Sequence, residues 1–383
     1  MAKSVIPVLL LTGYLGSGKT TLLNRILANK KGIKFAVIVN DIGEINIDAS
    51  LIQQGGVVNE KDSSLVPLQN GCICCTLKMD LIKQLCELAD TKKFDYIVIE
   101  ASGICEPVPI AQSICSIPQL GGPYVGDVIP ALDCIVSVVD ALRLRDEFDT
   151  GSCLLRKDVG EDDIESLITQ QIEFCNIILL NKASEISKDE LGKVTKIVRT
   201  IQPEAEIIPT DFCDVDLDKL INTYKFDFNK VAQSAAWIKE VEEHKDDDLV
   251  ENELESEEEL EYGIGTFVWY RRDPMDINKF DAFVSKWPRN IIRCKGMCYF
   301  KDEEKICYLF EQSGKQFLMK GAGQWFATMP PEELRRQLES DEQLKKDWDP
   351  KYGDRMQKLV FIGQNIDKEA LTKALDFCLV KDV

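Results

Sequence analysis

Pro7-Val8-Leu9-Leu10-Leu11-Thr12 runs without a break into Gly13-Tyr14-Leu15-Gly16-Ser17-Gly18-Lys19-Thr20, and this junction decides the fold. The first stretch is apolar and does not alternate, as expected of a strand buried on both faces of a parallel sheet. The second fits G-x-x-x-x-G-K-[ST] and opens a helix predicted over Thr20–Asn29. In that setting the glycines let backbone N–H groups converge on a phosphate at the positive end of the helix. Lys19 is expected to reach the β and γ oxygens of a nucleotide, and the Thr20 hydroxyl to ligate Mg²⁺. The expected nucleotide contacts are Gly13, Gly16, Ser17, Gly18, Lys19, Thr20 and Thr21.

Outward from the loop, Phe35–Asn40, Tyr96–Glu100, Cys134–Asp140, Ile177–Asn181 and Ala205–Pro209 read as further buried strands. Amphipathic stretches such as Leu77–Ala89 separate them, which predicts an α/β fold: a doubly wound, mostly parallel P-loop sheet domain over residues 1–230. From about Val231 the composition turns acidic and poor in aromatics, giving a linker over residues 231–262. Residues 263–383 form a smaller α+β domain. Its expected strands are Gly263–Tyr270, Ile291–Phe300, Lys305–Phe310, Gln316–Lys320 and Lys358–Gly363, and its expected helices Ile277–Ser285, Pro331–Lys346 and Lys368–Phe377.

Five further residues bear on nucleotide chemistry. Glu100 closes an apolar strand beside the loop, where a carboxylate can hold a Mg²⁺-bound water. Glu100-Ala101-Ser102-Gly103 reads as an E-x-x-G turn whose Gly103 N–H can sense a terminal phosphate. Lys19, Thr20, Glu100 and Gly103 are thus the expected catalytic set. At the end of another strand Asn181 is expected at the base edge and Lys182 over the ring, as in N-K-x-D. Ser184 stands where that pattern has an Asp able to accept two hydrogen bonds from guanine, so guanine and adenine both stay open here.

Gly71-Cys72-Ile73-Cys74-Cys75 places three thiols within four residues. Adjacent Cys74 and Cys75 cannot both face one side of a regular element, so core packing explains the cluster poorly. Thiolates suit Zn²⁺ or Cu⁺, and three of them leave a coordination position open for transfer. A redox pair is the alternative. Glu44 is a candidate fourth ligand, as is Asp48. Cys294 and Cys298 read as core residues.

Composition narrows the chemistry further. Lys and Arg number 46 against 65 Asp and Glu, a formal net charge of -19. That excess repels nucleic-acid phosphates and anionic membranes, so neither is an expected partner. The lone histidine, His244, lies in a charged run and rules out Ser-His and Cys-His catalysis and multi-histidine metal sites. Fourteen cysteines with no secretory leader read as free thiols in a reducing cytoplasm.

Taken together, residues 9–24, VNDIGEINID at 39–48, NGCICCTLKMDL at 70–81, DYIVIEASGICEP at 95–107, VSVVDAL at 136–142 and the stretches 171–182, 286–296 and 353–367 resemble the CobW-type metal-chaperone GTPases, relatives of the UreG and HypB nickel-insertion GTPases. The resemblance implies a CobW C-terminal domain, Mg²⁺-dependent GTP hydrolysis, and metal held by Cys72, Cys74 and Cys75; three thiolates favour zinc by softness, and a client metalloprotein is the expected recipient. It also implies two switch segments, Asn40–Asp48 and Glu100–Pro107. The chain departs from the family at Ser184 and in lacking a histidine-rich tract between the domains. A cofactor-biosynthesis enzyme and a non-catalytic metal-sensing module are the rival readings, and a homodimer is compatible with the sequence.

Overall fold

The computed structural model describes residues 4–39, 65–67, 78–120, 126–148, 164–233, 263–313, 316–341, 344–345 and 348–380. It separates into two compact units, one built from residues 1–153 and 167–235 and one from residues 154–166 and 236–383.

The elements of the first unit are β1 (Ser4–Thr12), α1 (Lys19–Leu27), β2 (Phe35–Val39), β3 (Leu65–Pro67), α2 (Lys78–Asp90), β4 (Tyr96–Glu100), α3 (Pro107–Leu120) and β5 (Val128–Asp140), then α4 (Ala141–Phe148), α5 (Ile164–Glu173), β6 (Ile177–Asn181), α6 (Lys188–Ile201), β7 (Glu206–Pro209) and α7 (Phe228–Gln233). Seven strands form one sheet in the order β3-β2-β4-β1-β5-β6-β7, and every pairing is parallel. From β1 the chain steps toward β2 on one flank; from β4 onward it steps the other way. Right-handed crossovers therefore put α1 on one face and the later helices on the other. Leu22, Leu23 and Ile26 of α1 accordingly pack with Leu9, Leu11, Val37, Val98, Val136 and Leu179 on a single side of the sheet. The doubly wound reading holds.

Several strands differ from their expected bounds, β5 by the most residues. β5 starts at Val128 rather than Cys134, because Val128–Leu132 continue the pairing with Ser4–Val8. The register then slips by one residue at Asp133. That bulge turns the Asp133 carboxylate to accept the Tyr96 hydroxyl at 2.5 Å and the Thr223 amide at 3.1 Å. Burial, with the Asp133 carboxylate second, raises the Tyr96 phenol, so the contact stays a hydrogen bond from neutral tyrosine.

The second unit comprises β8 (Ile264–Arg271), α8 (Ile277–Val284), β9 (Ile291–Cys298), β10 (Ile306–Ser313), β11 (Gln316–Gln324), α9 (Pro331–Ser340), β12 (Gln357–Gln364) and α10 (Lys368–Cys378). Its five strands are antiparallel in the order β11-β10-β9-β12-β8. Phe280 of α8 and Leu371, Leu375 and Cys378 of α10 cover one face, packing on Trp269, Phe310, Phe361, Cys294 and Cys298. The last two are fully buried, and burial raises both thiols above their ordinary range. The helix expected over Pro331–Lys346 stops at Ser340. Asp341 is extended, and its side chain accepts the Leu344 amide at 3.0 Å, which starts a new turn in place of continuing the old one.

On the other side of β9, Glu311 meets Arg293, Lys295 and Lys320 at 3.4–3.5 Å. Burial works against the Glu311 charge, but the attraction of Lys295, Arg293 and Lys320 outweighs it and holds the carboxyl below the usual glutamate range. This contribution to stability is complete above the ordinary glutamate pKa and fades as pH falls below it. Glu311→Gln, which removes the carboxylate that faces the 1% exposed Arg293, is expected to destabilise this unit by about 3 kcal/mol. Urea unfolding at neutral pH measures that loss, and the gap between variant and parent should narrow in acid.

Candidate nucleotide site

β1 ends at the point where the crossovers change direction, and this is the crevice in which open α/β sheets bind ligands. The loop Gly13–Gly18 occupies it and delivers Lys19 to the first turn of α1. Gly18 is the N-cap, with φ 114°, and a Cβ there would lie 2.5 Å from the Asn181 amide nitrogen. Both the left-handed backbone and the close approach therefore require glycine.

The side chains around the loop are largely buried. Lys19, only 7% exposed, curls back so that Nζ donates to the Tyr14 carbonyl at 3.2 Å. The Thr20 hydroxyl donates to Glu100 Oε1 at 3.1 Å. Glu100 is 1% exposed and lies beside Leu11 in the β1–β4 register, which explains how a residue eighty positions away reaches the loop. A hydroxyl and a buried carboxylate in contact form a hard-oxygen pair suited to Mg²⁺. Thr21 is exposed.

Gly103 follows Glu100 and presses on the loop from the other side. A Cβ at that position would come within 2.7 Å of the Leu15 amide nitrogen, so only glycine allows this approach. The turn is fixed by Gln171 of α5, whose Nε2 donates to the Gly103 and Cys105 carbonyls at 3.3 and 3.2 Å. Gln171 carried no signal in the sequence, since a polar residue on a helix ordinarily faces solvent.

At the end of β6, Asn181 is 3% exposed and both ends of its amide are engaged within the protein. Nδ2 donates to the Ser17 carbonyl at 2.8 Å, and Oδ1 accepts the Cys213 amide at 3.0 Å. Asn181 thus braces the phosphate loop against the turn after β7. Cys213 completes the brace, its thiol donating to the Gly18 carbonyl at 3.4 Å. Burial pushes that thiol up to about 12. Lys182, in the left-handed region at φ 60°, is paired with Asp140. Asp140 also caps α4 by accepting the Arg143 amide at 3.1 Å. The Arg143 guanidinium lies 4.3 Å from the Tyr14 ring centroid, a second cation beside the loop that sequence reasoning missed.

Ser184 has an unforeseen partner. Asp211 Oδ1 accepts its amide at 3.0 Å and its hydroxyl at 2.9 Å. The expected metal residues Cys72, Cys74, Cys75 and Glu44 lie outside the described residues, as do Asp48 and the segment 40–48. Among the described residues no group of three or more His, Cys, Asp or Glu side chains is arranged to hold a metal ion.

A doubly wound parallel sheet with a G-x-x-x-x-G-K-T loop at its switch point, backed by a buried strand-end carboxylate, defines a P-loop nucleotide-binding protein. Residues 7–209 match the CobW/HypB/UreG nucleotide-binding domain, and residues 264–379 match the C-terminal domain of the cobalamin synthesis protein cobW. The chain belongs to the CobW/HypB/UreG family. It is 34% identical to the zinc-regulated GTPase metalloprotein activator 1 of Dictyostelium discoideum over 394 aligned residues, covering 98% of this chain and 80% of that protein. The zinc chaperone YjiA of Escherichia coli is 32% identical over 226 residues, covering 58% of this chain and 62% of YjiA. The crystal structure of Zn(II)-bound YjiA aligns at a TM-score of 0.44 and 21% identity, covering 98% of this chain and all of that one.

Gly18→Ala is expected to displace Asn181 and open the loop. Calorimetric titration with a nucleoside diphosphate should show affinity reduced by about 100-fold, since a strained backbone and a broken brace cost some 3 kcal/mol together. The melting of the second unit should not change.

Proposed function

We propose that the protein hydrolyses GTP and uses the cycle to carry zinc from Cys72, Cys74 and Cys75 to a client metalloprotein. The observation that supports this reading best is the Thr20–Glu100 contact at the phosphate loop, in a chain matched to the family along both of its domains. Relatives named as zinc-regulated GTPase activators and zinc chaperones agree with it.

In this reading Lys19 leaves the Tyr14 carbonyl for the β and γ oxygens of GTP, and the amides from Gly13 to Thr21 surround the phosphates. Thr20 and Glu100 would hold Mg²⁺, which supplies charge neutralisation at the phosphates when bound. Glu100 orients water at the loop. Gly103, fixed through Gln171 and pressed against Leu15, offers its N–H to the terminal phosphate, and losing that phosphate removes the bond. Asn181, with one Nδ2 hydrogen on the Ser17 carbonyl, would offer the other to the base edge, and Lys182 would lie along the ring. Cys72, Cys74 and Cys75, with Glu44 as fourth ligand, hold zinc between the two phosphate-responsive segments Asn40–Asp48 and Glu100–Pro107, so the nucleotide state governs metal release.

The domain limits proposed are 1–230, 231–262 and 263–383, with the client docking on the last. None of the helices among the described residues is long and apolar enough to cross a membrane. Together with the net charge of -19, this favours a cytoplasmic protein that avoids nucleic acid and lipid; a homodimer is compatible with the proposal.

Lys19→Ala is expected to lower GTP turnover by at least about 100-fold, because a cation on the transferred phosphoryl is lost. Glu100→Gln should raise the Mg²⁺ concentration needed for half-maximal turnover, read from a Mg²⁺ titration of phosphate release. Replacing Cys72, Cys74 and Cys75 by Ser should abolish zinc binding in titrations while GTP affinity persists. If zinc, bound or absent, leaves both turnover and nucleotide affinity of the parent unchanged, coupling between the two sites is ruled out.

A further inference from the structure

We propose that Asp211, in the turn after β7, supplies the guanine-selecting carboxylate that Ser184 lacks. The proposal rests on the GTP reading above and names the residue that makes the base choice.

Ser184 holds the place where the N-K-x-D pattern puts its acid. Asp211 brings a carboxylate to that same place from another loop, with Oδ1 at 3.0 Å from the Ser184 amide and 2.9 Å from its hydroxyl. The Asp211 turn is clamped on all sides. Thr210 donates its amide to Leu180 O at 2.9 Å and accepts that of Ala183 at 3.1 Å, which ties the ends of β6 and β7 together. Arg25 of α1 donates to Phe212 O at 2.7 Å and pairs with Asp214 at 2.7 Å. Two residues past Asp211, Cys213 is bound to Asn181, and Asn181 to the phosphate loop itself. The carboxylate therefore stands at a fixed position relative to the phosphate loop, as base recognition demands.

Counting acceptors shows what it can bind. An ionised carboxylate offers about four lone-pair sites. Ser184 uses two of them, both on Oδ1, and among the described residues no other group donates to the Asp211 side chain. Two sites remain, and Asp211 is only partly buried. Guanine presents two adjacent donors, N1–H and the N2 amino group, and both can point at the remaining oxygen, Oδ2. Adenine presents a lone pair at N1 and no amino group at C2, so its edge would repel the carboxylate and leave it unpaired. The serine also changes role: it no longer reads the base but orients the acid that does.

The test is competitive calorimetry on the full chain with the diphosphates of guanosine, xanthosine and adenosine. The parent should prefer guanosine diphosphate to adenosine diphosphate by about 100-fold or more. Asp211→Asn should lose about 100-fold in guanosine diphosphate affinity and gain for xanthosine diphosphate, because with the side-chain oxygen kept by Ser184 the new Nδ2 cannot accept from guanine but donates to the xanthine 2-oxo group. A gain cannot arise from misfolding. As a second arm, Asp211→Ala should be rescued for guanine by adding Ser184→Asp, which returns the acid to the usual position. Unchanged selectivity in Asp211→Asn overturns the proposal and leaves the GTPase reading intact, as does failure of the double variant to recover guanine binding. A parent without guanine preference overturns both.

Discussion

β1 has neighbours on both flanks, β4 and β5, and the chain leaves it in one direction before building the rest of the sheet in the other. This single reversal separates the loops at the carboxyl ends of the strands and leaves room for a phosphate between them. It also brings together residues that no local pattern could join. Glu100 arrives because β4 pairs with β1, Asn181 because β6 follows β5, and Asp211 because β7 is added beyond β6. Each element of the candidate site is thus a consequence of strand order, and the buried apolar runs of the strands are what set that order.

Within this frame the braces matter as much as the groups that face a ligand. Asn181, Cys213 and Gln171 have their hydrogen-bonding groups directed to backbone carbonyls and amides of the loops. Such bonds are made in the absence of ligand, so the loop geometry does not have to be assembled on binding. Gly103 against Leu15 is the exception in kind: a steric contact between two loops.

The parts legible in the sequence were those written in continuous residues. The non-alternating strands, the phosphate loop and the acidic end of β4 needed only a local window, and the family stretches extended this to the second unit. What escaped was set by register or by distance. The bulge at Asp133 depends on how β5 meets β1, and nothing in Asp133 or its flanks signals an extra residue. Asp211 escaped because the serine at position 184 looked like a loss, whereas its partner lies 27 residues on in another turn. Gln171 escaped because helix polarity alone does not reveal a buried amide. The helix end at Ser340 was missed for the opposite reason: a continuing periodic pattern concealed a competing side-chain bond from Asp341.

The buried sulfurs have a consequence for how the molecule would sort metal. Ten cysteines among the described residues are free thiols, and most are buried. Where a shift is resolved, burial drives it upward, to about 12 at Cys134 and Cys213. A soft ion needs a deprotonated sulfur with access to it, and the fully buried thiols with a raised pKa offer neither at neutral pH. A cysteine-rich chain can thus keep its scaffold chemically silent, so that under the proposed function an arriving ion would be captured at the one cluster left to receive it.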